Sequence, residues 1–335
     1  MSARACILPV FVPHLGCPYA CVFCNQRRIS GETRPASAGD VRRALETAAL
    51  PSGVERQLAF YGGSFTAIPA AQQEALLAAA QEGIERGQID TIRLSTRPDA
   101  IDEAVLERLR RYGVSTVELG AQSMDERVLR LAGRGHTAED VRGASRRIRE
   151  AGFSLVLQMM TGLPGDSDER ADYTARELIA LRPDGVRIYP TVIVRDTALY
   201  DLWRAGEYRE HTVEDAVRVC ARLLPLFEAA EIPVLRLGLN PTDELSGGGA
   251  VAGAYHPALG ELVRSRVLRN RAEALLEGTE ARSRVTLFVN ERALSQMIGQ
   301  HRCNIDYLQQ RFSLAALTVQ AAPLAEGEIT IEKEG

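Results

Sequence analysis

Short apolar runs alternate along this chain with longer stretches whose apolar residues recur every three or four positions. The runs fall at 7–12, 57–61, 91–95, 116–120, 155–159, 186–189 and 234–237 and have the length and character of strands. The stretches between them, at 40–49, 70–82, 101–111, 125–131, 138–151, 169–181 and 213–229, carry helical periodicity. Some helices have visible start signals. Ser37 and Thr137 precede Asp40 and Asp140, and Pro69 is placed just inside a helix start. Strands that alternate with helices form βαβ units around a parallel sheet, whose strands are covered on both faces. Six or seven such units predict an α/β fold, a partial (β/α) TIM-like barrel. Its chemistry is expected at the C-terminal ends of the strands.

The pattern breaks at the glycine-rich segment 246–249, followed by 250–253. The expected division is a barrel over 1–245, a glycine-rich linker over 246–258 and a small C-terminal α+β unit over 259–335. That unit reads as a helix at 259–276, a strand at 285–289, helices at 292–298 and 304–311 joined by a tight turn, and strands at 317–320 and 328–332.

With 335 residues, 45% hydrophobic and 25% charged, the chain has the composition of a globular protein with a sizeable core. Its net charge of -4 gives none of the global basic excess typical of dedicated nucleic-acid binders, so RNA binding would rest on one local face. No apolar run approaches the ~20 residues that span a bilayer, and no membrane partner is expected. The segment 1–15 runs into a cysteine motif without a small-residue cleavage site, so a cytoplasmic location is expected.

Six cysteines are present, and Cys17, Cys21 and Cys24 fall within eight residues just after the first strand. Cys6, Cys220 and Cys303 are read as bystanders. Three thiolates in one loop can hold three irons of a cubane cluster and leave the fourth iron open to a small molecule. A structural zinc site usually takes four ligands in two spaced pairs, and His14 is the remaining candidate for a fourth.

Cysteines separated by three and then two residues, with Phe23 before the last, resemble the signature of the radical S-adenosylmethionine (SAM) superfamily. The resemblance implies the partial barrel of that superfamily, a [4Fe–4S] cluster on Cys17, Cys21 and Cys24, and SAM bound to the open iron. It also implies that Phe23 packs near the adenine. An electron donor of the reductase, flavodoxin or ferredoxin kind is then required. Gly62-Gly63-Ser64 resembles the family's glycine-glycine-glutamate loop, which approaches the SAM amino group; serine replaces the common glutamate. Ser95, Arg97, Gln122, Arg134 and Gln158 resemble the SAM-contact set of the coproporphyrinogen-oxidase-like and Elongator-like branches. There a glutamine after strand four and an arginine twelve residues later reach the SAM ribose or carboxylate.

Two longer stretches are similar to the radical SAM domain of the Elongator catalytic subunit family, which modifies wobble uridine in transfer RNA. One runs from Val117 to Ser123 and on to Arg134-Gly135-His136-Thr137. The other is Arg187-Ile188-Tyr189-Pro190-Thr191, continuing to Gly206-Glu207-Tyr208. The resemblance covers roughly residues 5–245. Members that complete the uridine reaction carry an acetyltransferase domain. Only about eighty residues follow the barrel here, without a glycine-rich acyl-CoA loop, so acetyl-CoA is not an expected partner.

In the C-terminal unit, the segment from Ile298 to Ile305 resembles the KH-domain loop that clamps a nucleic-acid backbone, with Arg302 in place of its last glycine. Tyr189 and Tyr255 are read as packing residues, and Arg27-Arg28 as a pair able to face an anionic substrate. The expected function is a radical SAM enzyme acting on RNA, with tRNA modification as its task. A small-molecule enzyme of the coproporphyrinogen-oxidase type and a non-catalytic iron–sulfur RNA-binding protein are the alternatives.

Overall fold

A computed structural model describes residues 6–12, 21–24, 34–240 and 245–334 of the protein. Cys17, His14, Arg27 and Arg28 lie outside them.

Seven parallel strands form one curled sheet in the order β1-β2-β3-β4-β5-β6-β8. They are β1 (Cys6–Phe11), β2 (Arg56–Tyr61), β3 (Thr91–Thr96), β4 (Val114–Gln122), β5 (Ser154–Thr161), β6 (Gly185–Pro190) and β8 (Val234–Leu237). All seven predicted strands are present, and β1 and β8 are the two edges of an open half-barrel. Side chains alternate across a strand, so each strand serves two environments. Leu58, Phe60, Ile92, Leu94, Val117, Leu119, Leu155, Leu157, Val186 and Ile188 form one buried core with Leu76, Leu109, Ile148, Leu178 and Phe227 of the outer helices. The intervening positions face the concave side, and there the residues turn polar.

Helix starts follow local hydrogen bonding. Ser37 with Asp40, and Thr137 with Asp140, close reciprocal capping boxes, as does a third pair, Thr212 with Asp215. Pro69 is the cap of the helix Ala70–Glu85, one residue outside the position expected of it. Its missing N–H is harmless at either place, so the sequence does not separate them.

The stretch 246–258, expected as a linker, contains strand β9 (Ala250–Gly253), which pairs antiparallel with the three-residue β7 (Val192–Val194). Strands this short have no periodicity to read. The helix Leu259–Leu276 then serves two cores. Leu259, Val263 and Val267 belong to the barrel core, while Leu268, Ala272 and Leu276 pack with Val285, Leu287, Met297, Ile305 and Leu308 of the C-terminal unit.

That unit is a three-stranded sheet, β11 (Ala316–Ala321), β10 (Arg284–Val289), β12 (Ile329–Glu334), in that order. β10 runs parallel to β11 and antiparallel to β12. The helices Leu294–Ile298 and Cys303–Arg311 flank the loop at Gly299–Arg302. Buried Asn304 ties that loop down by donating to Ser265, to the Gln296 carbonyl and to the Met297 carbonyl. Among the described residues no helix is long and apolar enough to cross a membrane.

Candidate SAM and cluster site

The C-terminal ends of β1 to β5 converge on one mouth. The Val12 N–H donates to the Tyr61 carbonyl at 2.7 Å and brings the end of β1 against the end of β2. Gly62 follows with φ +99°, and a Cβ there would lie 3.3 Å from the Val12 carbonyl oxygen. Only glycine makes this turn at this distance. Gly63 and Ser64 continue it into the short turn Phe65–Ala67.

Of the cysteine loop, the described part is pinned from two sides. The Val22 N–H donates to the Ala132 carbonyl at 3.0 Å, and the Leu199 N–H donates to the Val22 carbonyl at 2.7 Å. Cys21 is buried, and its carbonyl accepts from the Cys24 N–H. Phe23, half-buried, packs between Val128, Ala132 and Leu163 on one side and Ile193, Leu199 and Tyr208 on the other. Among the described residues no three His, Cys, Asp or Glu side chains converge, the third cysteine of the motif being Cys17.

Beside this loop, Arg134 donates through Nη1 to the Cys21 sulfur at 3.4 Å and through Nη2 to the Gly120 carbonyl at 2.8 Å. Its Nε is buried without a hydrogen-bond partner. Gly120 makes room for the arrangement. A Cβ there would stand 2.8 Å from Gln122 Nε2 and 3.6 Å from Arg134 Nη2. The register of β4 slips next to Gly120, and Gln122 adopts φ 63°, left-handed backbone outside glycine territory. Gln158 Nε2 donates to Gln122 Oε1 at 3.2 Å, joining β5 to β4. His136 closes the region from behind. Burial, with the nearby Arg134 cation, pushes its pKa down to about 4, so the neutral ring donates from Nε2 to the Ala121 carbonyl.

Cys21, Arg134, Gln122 and Gln158 are therefore joined in one run of contacts, while Gly62, Gly63 and Ser64 follow the end of β2, two strands away from β4 at the same end of the sheet. Ser95 lies half-buried near the end of β3. Arg97, fully buried just beyond, forms an ion pair with Asp99.

Deeper in the concave face lies a polar group that no sequence motif marks. Glu118, 2% exposed, receives Arg187 Nε at 2.8 Å and the Tyr61 hydroxyl at 2.8 Å. Arg93 Nε approaches the same carboxylate at 2.9 Å, and its Nη1 donates to Gln57 Oε1 at 2.8 Å. Burial and the Glu118 charge hold Tyr61 well above the ordinary phenol range. Burial does the same for Tyr189, which hydrogen-bonds Arg187 and belongs to this polar network as well as to the packing expected of it. Burial opposes the Arg187 cation, but Glu118 and the two phenols outweigh it and raise its pKa. The signal was in the sequence: positions 57, 61, 93, 118, 187 and 189 are polar or aromatic at the inner phase of otherwise apolar strands.

After β5 the chain turns through Gly162-Leu163-Pro164-Gly165. Gly162 has φ +76°, and a Cβ on it would fall 2.2 Å from His211 Cγ. The Tyr208 hydroxyl donates to the Gly162 carbonyl at 2.5 Å, and the Gly162 N–H donates to Asp166 Oδ2 at 2.8 Å.

Comparison with known proteins bears on the family and the fold. The radical SAM superfamily pattern matches residues 11–178, half of the chain, and the radical SAM C-terminal domain matches 183–269. Elongator complex protein 3 of Homo sapiens is 38% identical over 138 residues, which are 40% of this chain and 25% of that protein. The tRNA uridine(34) acetyltransferase of Methanocaldococcus infernus is 33% identical over 129 residues, 38% of this chain and 24% of that protein. The chain thus spans about a quarter of the length of these relatives. The solved structure of the archaeal Methanocaldococcus infernus Elp3 with an N-terminal deletion superimposes with a TM-score of 0.63 at 23% identity, over 81% of this chain and 64% of that one. The fold is shared. This chain belongs to the radical SAM superfamily.

Proposed function

We propose that this enzyme cleaves SAM reductively at a [4Fe–4S] cluster and directs the resulting radical to RNA, with tRNA as the substrate. The observation that carries this reading is the contact chain at the barrel mouth, from Cys21 through Arg134 to Gly120 and on to Gln122 and Gln158, with the Gly62 turn at the same end of the sheet. Cys17, Cys21 and Cys24 would hold the cluster. Soft thiolates suit iron–sulfur ligation, and the orphaned Arg134 Nε is a buried donor beside the loop that an anionic group would satisfy. When bound, the cluster supplies the electron that splits SAM into methionine and a 5′-deoxyadenosyl radical, which takes a hydrogen atom from the substrate.

The chain's own residues bind and orient. The backbone at Gly62 and Gly63 would admit the SAM amino group, and Ser64 and Ser95, near the ends of β2 and β3, would add polar contacts to it. Gln122 and Gln158 present a linked pair of amides to the polar part of the nucleoside. Arg97, held by Asp99, fixes the end of β3, and Phe23 offers an apolar ring to the adenine. The reducing cytoplasm suits such a cluster, and a flavodoxin, ferredoxin or reductase supplies the electron.

The RNA substrate is supported by the relatives, one of which is named a tRNA uridine(34) acetyltransferase. The region matched to these relatives is the radical SAM part, which carries SAM cleavage and no acetyl transfer. Exposed His301 and Arg302, in the loop of the C-terminal unit, give a second contact for an RNA backbone.

The test is anaerobic reconstitution with iron and sulfide, reduction with dithionite, addition of SAM and assay of 5′-deoxyadenosine with and without total tRNA. Deoxyadenosine that rises several-fold with tRNA is the expected result. Deoxyadenosine unaffected by tRNA would overturn the RNA substrate. None at all from a protein with an intact cluster would overturn SAM cleavage.

A further inference from the structure

We infer that Arg187 and Arg236, with the Tyr189 hydroxyl, form an anion subsite on the concave face that takes a phosphate of the nucleic-acid substrate. The inference rests on the RNA reading above and adds the place inside the barrel where a phosphate is gripped.

Charge is the first observation. Glu118 is the only acidic residue in the seven strands of the sheet, while Arg93, Arg187 and Arg236 stand on β3, β6 and β8. Arg93 and Arg187 share the Glu118 carboxylate. Arg236 meets no carboxylate among the described residues. Its Nε donates to the Gly238 carbonyl at 3.0 Å and its Nη2 to the Leu239 carbonyl at 3.1 Å. Three guanidiniums against one carboxylate leave two positive charges without a described counter-charge.

Position is the second. Arg187 and Arg236 are register partners on adjacent parallel strands, so their side chains leave the same face from backbones roughly 4.8 Å apart. Tyr189 is the next residue of β6 on that face. Burial raises its phenol, and the charges of Arg187 and Arg236 both oppose that rise, so both guanidiniums act on it. The Arg236 fork is held in place. Gly238 turns with φ +84°, and its N–H donates to the Ile188 carbonyl at 2.9 Å, which fixes the turn to β6. With Nε and Nη2 anchored, Nη1 makes no hydrogen bond among the described residues and is left to donate to a ligand.

A half-buried guanidinium that meets only carbonyls is short of negative charge, and an oxyanion supplies it. Two guanidiniums and a phenol converge as several donors. A phosphate presents several oxygens to such a set, whereas a flat carboxylate presents two. β8 is an edge of the open half-barrel, so an extended phosphodiester backbone reaches this corner without crossing the sheet.

The experiment measures tRNA affinity of the reconstituted protein over a range of salt concentrations, in the wild type and in Arg236→Gln and Arg236→Lys. Melting temperatures are read in parallel in inorganic phosphate and in chloride at matched ionic strength. Arg236→Gln is expected to weaken tRNA binding about ten-fold and to lower the slope of log affinity against log salt by about one. It should also lose the rise in melting temperature that phosphate gives the wild type. Arg236→Lys, which keeps the charge but not the fork, should keep most of the slope and bind with intermediate affinity. Arg236→Gln with the wild-type slope and phosphate response would overturn the subsite and make Arg236 a brace for the Gly238 turn, leaving the RNA reading intact. If Arg236→Gln does not fold, Arg236→Lys equal to the wild type in both readouts overturns it instead. A wild type that binds no tRNA, yet gains a phosphate response that Arg236→Gln lacks, would sink the RNA reading and assign the subsite to a free phosphate compound.

Discussion

Arg187 meets Glu118 side-on, Nε to Oε2 at 2.8 Å and Nη2 to Oε1 at 3.2 Å, and the same Nη2 reaches the Tyr61 hydroxyl at 3.0 Å. This links β6, β4 and β2 across the concave face of a sheet whose edges do not meet. Arg93 adds β3 from the other side of the carboxylate. One buried anion therefore lies against two guanidiniums, Arg93 buried and Arg187 half-buried, and the network ties together strands that barrel closure does not.

Replacing that anion should be severe. Glu118→Gln leaves Arg93 and Arg187 facing an amide in a nearly dry site, and removing one partner of a buried pair costs about 3–5 kcal/mol. The denaturant midpoint of the cluster-free protein should fall accordingly. A loss under about 1 kcal/mol would mean that water reaches the two guanidiniums.

Gly162→Ala should destabilise through both backbone and contact. The φ of +76° is strained for alanine, and the new methyl would strike His211. A strained non-glycine backbone alone costs about 1–3 kcal/mol. The double variant Gly162→Ala, His211→Ala removes the clash and should recover part of the loss. A double variant no better than the additive sum would show that the backbone term is the whole effect.

The Gln122–Gln158 bond should act on SAM and little on folding. Gln158→Leu keeps the volume and removes the donor from Gln122 Oε1. SAM affinity is expected to fall about ten-fold, or about 1.4 kcal/mol, with the melting temperature within a few degrees of wild type. Equal loss of both would place the pair in the scaffold instead.

Two histidines give the fold an acid-sensitive window. Burial pushes His211 and His136 down to about 4, from an ordinary 6.5, so the folded state holds them neutral. Their contribution is fully present above pH 6.5 and is lost as pH falls toward 4. Asp166 works the other way. Burial raises it to about 6 from 3.8, so its ionisation penalises the fold above pH 6 and the penalty is relieved as pH drops. Two depressed histidines outweigh one raised carboxyl, and urea stability of the cluster-free protein should decline between pH 6.5 and 4. His211→Gln should remove most of that decline, because the one remaining histidine shift is nearly offset by Asp166. A variant with an unaltered slope would place the pH dependence elsewhere.

Strand phase and loop motifs were legible because they are local. Seven apolar runs announced seven strands, and Ser37 and Thr137 announced two helix starts through caps that close within three residues. The cysteine motif, the Gly62-Gly63 turn and the pairing of Gln122 with Arg134 follow strand ends, and parallel strands bring all their C-terminal ends to one side. That much follows from periodicity and connection rules acting within one βαβ unit at a time.

Residue contacts between units were decided only in three dimensions. Position 118 as a glutamate does not reveal that it will sit between arginines at 93 and 187, because sheet curvature and register set those distances. Nor does Arg134 show, along the chain, that it lies within hydrogen-bond reach of a sulfur 113 residues earlier. The 246–258 segment reads as a linker until β7, more than fifty residues upstream, offers it an edge to pair with. Helix Leu259–Leu276 reads as one element until two cores divide its apolar face between them. Hydrophobic period and turn chemistry are properties of neighbours in sequence, and so the sequence by itself determined the elements and the mouth at which they end. Charge balance, edge pairing and the partner of each buried polar group depend on residues far apart in the chain, and only the tertiary structure settles them.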